Sequence, residues 1–443
     1  MAAVADNKPR SSARLGALML ATVVLAGWIN LLPTGGVFPA TVLVDVLTAA
    51  MIWLVITDLL RKDAPHVESW MLALFVLLVA YVVASIVSYE PLGDRFLVVR
   101  SSCLYAFVSV FIAIRLRAQA DTTYLKGVTV ALGVFLALFG IAQSYLSLPT
   151  ALLTPKDSMV FSYFGTDIVR SNGLVGNTIV YGVTLTLIFA ALLARAVATH
   201  GQYRYLPPAI VLIGIYTTNS RAALIGAAAV AAFVLIASRQ DLRQSLGRIF
   251  TFAGGLGVLG ALAWCIPSVW NSITSSFIVQ ELFLGRNISV QGSNRGHRED
   301  ITLAIDRFKE NPIWGHGVGS VGEGSIDAVY GKTITDGAFW ARLAEGGIML
   351  TAAWLAVILT VSAACWRAWR ASNRTNWVAL GVLGFSVYQF GFAAFVNSGW
   401  FGKTPFVMYW VLFGLAMAIE RQRQQAEPEP RPSATQSRQR VRP

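Results

Sequence analysis

The sequence predicts an all-α polytopic membrane protein with about twelve transmembrane helices and one large outer loop between the ninth and the tenth. Three observations carry that prediction. The 443 residues are 55% hydrophobic and only 13% charged, about half the charge fraction of a soluble domain. Apolar runs recur at the roughly 17–25 residues that a helix needs to cross a bilayer. Lysine and arginine collect in alternate loops, as the positive-inside rule demands of a chain that crosses repeatedly.

The elements follow in order. Residues 1–14 are polar and basic and form a cytoplasmic N-terminal segment. Apolar spans then cover 15–32, 38–60, 69–88, 97–114, 127–146, 174–194, 205–219, 222–238, 249–270, 337–362, 377–397 and 404–419. Only Asn219 to Arg221 separate the seventh from the eighth. No A-x-A cleavage site follows the first run, which is read as a retained anchor. Residues 15–420 make a single transmembrane domain, and 421–443, rich in Gln, Pro, Arg and Ser, a disordered cytoplasmic tail.

Twenty-two of the 35 lysines and arginines fall on the face that holds both termini, which makes that face cytoplasmic. The net charge of +12 is therefore a topology signal with a weak attraction to anionic lipid, and no nucleic-acid partner is expected. Cys103, Cys265 and Cys365 lie inside apolar runs, which argues against disulfides and thiolate metal sites. No metal is expected, since outer acids are scattered and His297 and His316 lack zinc-ligand spacing.

Two outer loops are long, 147–173 and 271–336, and long loops in compact proteins usually carry function when they are ordered. The second holds a basic cluster, Arg286, Arg295, His297 and Arg298, then a short amphipathic helix with Ile301, Ala304, Ile305 and Phe308 at helical spacing. Asn311-Pro312 ends that helix. The glycine-rich turn Gly315-His316-Gly317-Val318-Gly319 follows, a possible backbone nest for an anion. The whole stretch 284–347 is expected to lie over an active site.

Arg221 is the sharpest single residue, in the tight outer turn Thr217-Thr218-Asn219-Ser220-Arg221. It is either an interface anchor or, since charge at the bilayer edge is expensive, the partner of an anion. Planar guanidinium forks suit diphosphate oxygens, so Arg298, Arg286, Arg295 and Arg170 join it as candidates. Asn177, expected two turns inside the sixth helix, is a sugar ligand or a packing residue. Asp336 is a general base or a helix N-cap. Arg342 and Glu345, three apart on the tenth helix, bind substrate or neutralise each other.

With these pieces in place the chain resembles the O-antigen ligase and polymerase superfamily of bacterial envelopes. The resemblance covers the second half. It rests on Arg170-Ser171-Asn172-Gly173 with Gly176-Asn177, Asn219-Ser220-Arg221-Ala222-Ala223-Leu224-Ile225-Gly226, Arg298 ahead of its helix, Asn311-Pro312-Ile313-Trp314-Gly315-His316-Gly317, and Leu343-Ala344-Glu345-Gly346-Gly347. It implies a metal-independent glycosyltransferase of the bacterial inner membrane, without cofactor. The donor would be an undecaprenyl-diphosphate-linked glycan, the acceptor a sugar hydroxyl on another glycan or on lipid A-core, and other polysaccharide-assembly proteins possible partners. Arg221 and Arg298 match the arginines that hold the donor diphosphate. Ligases of the superfamily place a histidine before the Leu-Ala-Glu element, where this chain reads Thr335-Asp336-Gly337. That departure favours a repeat-unit polymerase over a ligase. A lipid-linked oligosaccharide flippase is the competing class, but it should show related halves and midplane charge. A purely structural scaffold leaves Arg221 unexplained.

Overall fold

A backbone removed from water must satisfy its own polar groups, which makes helices of the apolar runs. The computed structural model describes residues 11–30, 39–61, 65–145, 160–163, 166–238, 290–320, 337–396 and 403–426. The expected span 249–270, together with Arg286 and Asp336, lies outside them. The described parts of the other expected spans are mainly helical. In order these are α1 (Ser11–Val24), α2 (Ala26–Ile29), α3 (Pro39–Leu59), α4 (Ser69–Val87), α5 (Leu92–Ser102), a 3-10 turn (Leu104–Phe107), α6 (Val108–Arg115) and α7 (Gln119–Tyr145). Then come α8 (Thr178–Ala198), α9 (Leu206–Thr217), α10 (Arg221–Ala237), α11 (Val290–Glu310), α12 (Ala338–Ala371) and α13 (Trp377–Tyr388). A π-helical turn (Gln389–Ala393), α14 (Ala394–Val396) and α15 (Lys403–Ala426) complete the order.

Among the described residues, six helical segments are long and apolar enough to cross a membrane: Pro39–Leu59, Ser69–Val87, Leu92–Arg115, Gln119–Tyr145, Thr178–Ala198 and Ala338–Ala371. Their outward faces are apolar, with Trp53 66%, Leu72 58% and Phe75 56% exposed. A water-soluble bundle does not leave such a surface uncovered. The chain is a helical membrane protein.

Three details depart from the sequence reading. The segment 147–173 contains an antiparallel hairpin, Val160–Tyr163 against Thr166–Val169, which pairs Phe161 with Ile168. The fourth expected span is interrupted at Cys103, whose backbone leaves the helix between Ser102 and Leu104. The tail does not begin at 421, because α15 runs to Ala426 and is held there: Arg421 Nε donates to Glu68 at 2.9 Å, and Arg423 pairs with Glu420 at 2.7 Å.

Helix α8 is the hub. Its apolar window is 83% buried, and α7, α9, α10, α13 and α15 surround it. In a membrane, helices gain by close packing rather than by escaping water, so small residues set the approach. A Cβ on Gly381 would lie 2.6 Å from Ala191 Cα, and one on Gly414 would lie 2.6 Å from the Ser109 carbonyl oxygen. These contacts seat α13 on α8 and α15 on α6.

Successive helix ends gather at two poles. At one pole Arg115 grips Asp58 with two donors, Arg421 meets Glu68, and Trp369 Nε1 donates to Ala237 O. At the other pole Gly27 N donates to Leu174 O, Ser88 to Val318 O, and Trp340 to Phe395 O. The first pole carries the arginine-rich loops, and the second carries the candidate residues.

Candidate functional site

The corner between α9 and α10 is built without glycine. Asn219 adopts a left-handed conformation (φ 51°) that lets the chain reverse in one residue. Ser220 caps α10, its hydroxyl accepting from Ala223 N at 3.4 Å. Arg221 is thereby fixed as the first helical residue of α10. A second strand of chain braces the corner. Ser171 N donates to Thr217 O at 3.0 Å, the Ser171 and Thr217 hydroxyls share a 2.8 Å bond, and Arg170 Nε donates to Thr218 O at 3.0 Å. Ser171, Asn172 and Thr218 are fully buried beneath. Two candidates 51 residues apart, Arg170 and Arg221, therefore meet at one corner.

The second construction is a broken helix. Gly347 (φ 57°, ψ −152°) interrupts α12 and frees carbonyls on one side and amides on the other. The turn Asn311–Ser320 fills the gap. His316 N donates to Ala344 O at 3.0 Å and Gly317 N to Glu345 O at 2.8 Å. From the far side Ile348 N donates to Pro312 O at 2.9 Å. Gly319 N donates to the Glu345 carboxylate at 3.1 Å. The amides suggested as an anion nest are thus bonded within the protein, and the glycine-rich turn is a strap. Its glycines permit close approach: a Cβ on Gly317 (φ 91°) would sit 2.2 Å from Ser88 Cα. His316 faces inward, its Nε2 2.9 Å from Arg307 O and 3.3 Å from Glu310 Oε2.

The strap holds a buried polar layer. Arg342 and Glu345 are each 2% exposed. Arg342 donates to Ser102 Oγ at 3.1 Å and to Ala338 O at 3.3 Å, and Tyr81 lies within the field of both charges. Ser102 is the residue at which α5 breaks off, so the interruption presents its hydroxyl to Arg342. Nearby in sequence, Arg100 pairs with Asp45 at 2.8 Å, and Tyr105 donates to the same carboxylate at 2.6 Å. Neither Asp45 nor Arg100 was singled out from sequence, although ionisable residues inside apolar spans are a recognised signal. Gln389, 1% exposed in the π-helical turn, was also missed. Neither end of its amide has a hydrogen-bond partner among the described residues. No sequence pattern announces a π-turn, a feature that often marks functional sites.

The stretch 388–396 links the two constructions. Tyr388 OH donates to Ala222 O at 2.8 Å, beside Arg221. Seven residues on, Phe395 O accepts from Trp340 Nε1 at 3.1 Å, at the start of α12.

The remaining candidates are placed differently from expectation. The amphipathic helix begins at Val290, so Arg295 and Arg298 lie on it rather than ahead of it. Its buried stripe is Asp300, Ala304 and Arg307, with Ala304 packed on Ala341 and Ala344 of α12. Arg298 is exposed on this helix. Asn177 is not inside a helix. It is the N-cap of α8, its carboxamide oxygen accepting from Ile179 N at 2.8 Å and Val180 N at 3.1 Å. Capping, not a sugar, occupies that oxygen. Among the described residues no three His, Cys, Asp or Glu side chains gather as a metal site would require. Comparison with protein-family models and with characterised proteins found no match to this chain.

Proposed function

We propose that the chain is a glycosyltransferase of the bacterial inner membrane. It crosses twelve times, with both termini in the cytoplasm and the corner at Arg221 facing out. It would take a glycan from an undecaprenyl-diphosphate carrier and join it to a sugar hydroxyl of a second glycan, extending a surface polysaccharide. The observation that carries this reading is the braced corner, where Arg170 and a capped helix start hold Arg221 at the outer pole. Such bracing fixes the backbone from which a guanidinium fork can meet a planar anion.

The chemistry makes use of such a group. As the anomeric C–O bond breaks, negative charge grows on the departing diphosphate, and fixed donors stabilise that charge more than they stabilise the ground state. Arg221 supplies one such fork and Arg298, carried on α11, the second. The attacking hydroxyl forms the new C–O bond and gives its proton to a base, the role assigned to Asp336. Arg342 and Glu345, buried under the strap, position the start of α12. Gln389, whose buried amide has no partner among the described residues, carries groups suited to a sugar hydroxyl.

Purified protein in proteoliposomes, given an undecaprenyl-diphosphate-linked repeat unit and EDTA, should release undecaprenyl diphosphate and lengthen the glycan. Movement of the lipid-linked glycan across the bilayer without lengthening would replace this reading with transport. Transfer onto lipid A-core alone would make the protein a ligase. Asp336→Asn should abolish lengthening while donor binding persists, because asparagine caps a helix as well as aspartate does. Wild-type polymer from that variant would remove Asp336 as the base.

A further inference from the structure

At the arginine-rich pole, between the ends of α4, α6, α12 and α15, the chain encloses a cavity of about 1040 Å³. Five arginines line it, Arg117, Arg367, Arg370, Arg421 and Arg423, against two acids, Glu68 and Glu420. Both acids are already engaged, Glu68 by Arg421 at 2.9 Å and Glu420 by Arg423 at 2.7 Å. That leaves Arg117, Arg367 and Arg370 with no carboxylate in ion-pair range among the described residues. Five positive and two negative charges give the lining a net charge of +3. Uncompensated cations drawn together around a cavity repel one another, and a bound anion relieves that repulsion.

The walls say what kind of anion. Ile114, Leu116 and Met417 give the cavity a buried apolar wall, each 3% exposed or less. Trp366 is 40% exposed at the rim, with the Arg370 guanidinium 5.6 Å from its ring centroid. A half-exposed tryptophan beside arginines is how membrane proteins mark the headgroup level. The volume is at the top of the range for ligand pockets, about 300–1,000 Å³, and far exceeds what a free phosphate fills. We propose that this cavity holds the phosphate headgroup of an anionic phospholipid, whose acyl chains leave past the exposed rim at Trp366. The site lies at the opposite pole from Arg221, so this proposal stands whether or not the glycan-transfer reading does.

The test uses the full chain in nanodiscs of phosphatidylcholine containing a minor fraction of cardiolipin or phosphatidylglycerol. Native mass spectrometry then counts the lipids retained after extraction. Wild type should retain the anionic lipid in preference to phosphatidylcholine. Arg367→Gln with Arg370→Gln should weaken retention about 25-fold, from about 1 kcal/mol per arginine. Arg195→Gln, an arginine of the same pole outside the cavity, should leave retention unchanged. The single substitutions, each expected to cost about fivefold, cover the case in which the double variant does not fold. A rise in wild-type melting temperature with phosphatidylglycerol, absent in the single variants, is the independent readout. Equal retention of both lipid classes would overturn the proposal, as would unchanged retention in the folded variants. Stabilisation by inorganic pyrophosphate without any lipid preference would also overturn it, assigning the cavity to a soluble phosphate instead.

Discussion

The corner Thr217–Arg221 and the strap Asn311–Ser320 occupy the same pole and are both short polar turns, yet they are built differently. The strap looks like an anion site in sequence, with three glycines in five residues. Its amides are bonded to Ala344, Glu345 and Asn311. The corner has no glycine, and its backbone is braced so that one arginine side chain is set at the end of a helix. A polar turn in a membrane protein is therefore not a binding site by composition. Whether it binds depends on which of its donors the fold has already used.

The largest effect that would sharpen this contrast comes from the strap. Gly317→Ala adds a methyl where Ser88 Cα stands 2.2 Å away and holds alanine at φ 91°. Left-handed strain and overpacking together should cost about 3–5 kcal/mol. The expected outcome is loss of folded protein, read as yield and melting temperature in detergent. A stable Gly317→Ala would break the description of the strap. Arg221→Lys should do the reverse, leaving the melting temperature within a degree or two while transfer falls about 100-fold or more. Normal chain length in Arg221→Lys cells would reduce the corner to an interface anchor.

Smaller effects separate bracing from binding. Arg170→Leu strands Thr218 O and should cost about 1 kcal/mol of stability, with a transfer defect smaller than that of Arg221→Lys. Asn177→Ala removes a cap bonded to Ile179 and Val180, for about 1 kcal/mol. Asn177→Asp should restore stability and activity together, because a carboxylate caps equally well. A loss of transfer at full stability in Asn177→Asp would return that residue to the substrate. The smallest effect should be Gly176→Ala, where φ is 83° but nothing lies within 4 Å of the added carbon. Backbone strain alone should then cost about 1 kcal/mol, seen only as a modest drop in melting temperature.

Hydropathy by itself placed the six long apolar helical segments found among the described residues, because an apolar run longer than a bilayer's hydrocarbon core has helix as its one self-satisfying conformation. It also marked Arg221, since a charge in so short a gap between apolar runs stands out against its surroundings. The same reading put Asn177 inside a helix and left Asp45, Arg100 and Gln389 unremarked. It joined α5 to α6 across the break at Ser102 and Cys103. Those errors share a cause. Hydropathy reports how a segment prefers lipid to water, but not which polar atoms the neighbouring segments satisfy. The break at Gly347 is stable only because residues 312–319 arrive from another element to complete its hydrogen bonds. Arg170 reaches Arg221 only because residues 170–172 run beside the α9–α10 corner. Local sequence determined which segments became helices. The tertiary packing decided which amides and carbonyls the fold satisfied within itself, because a hydrogen bond used within the fold is no longer available outside it.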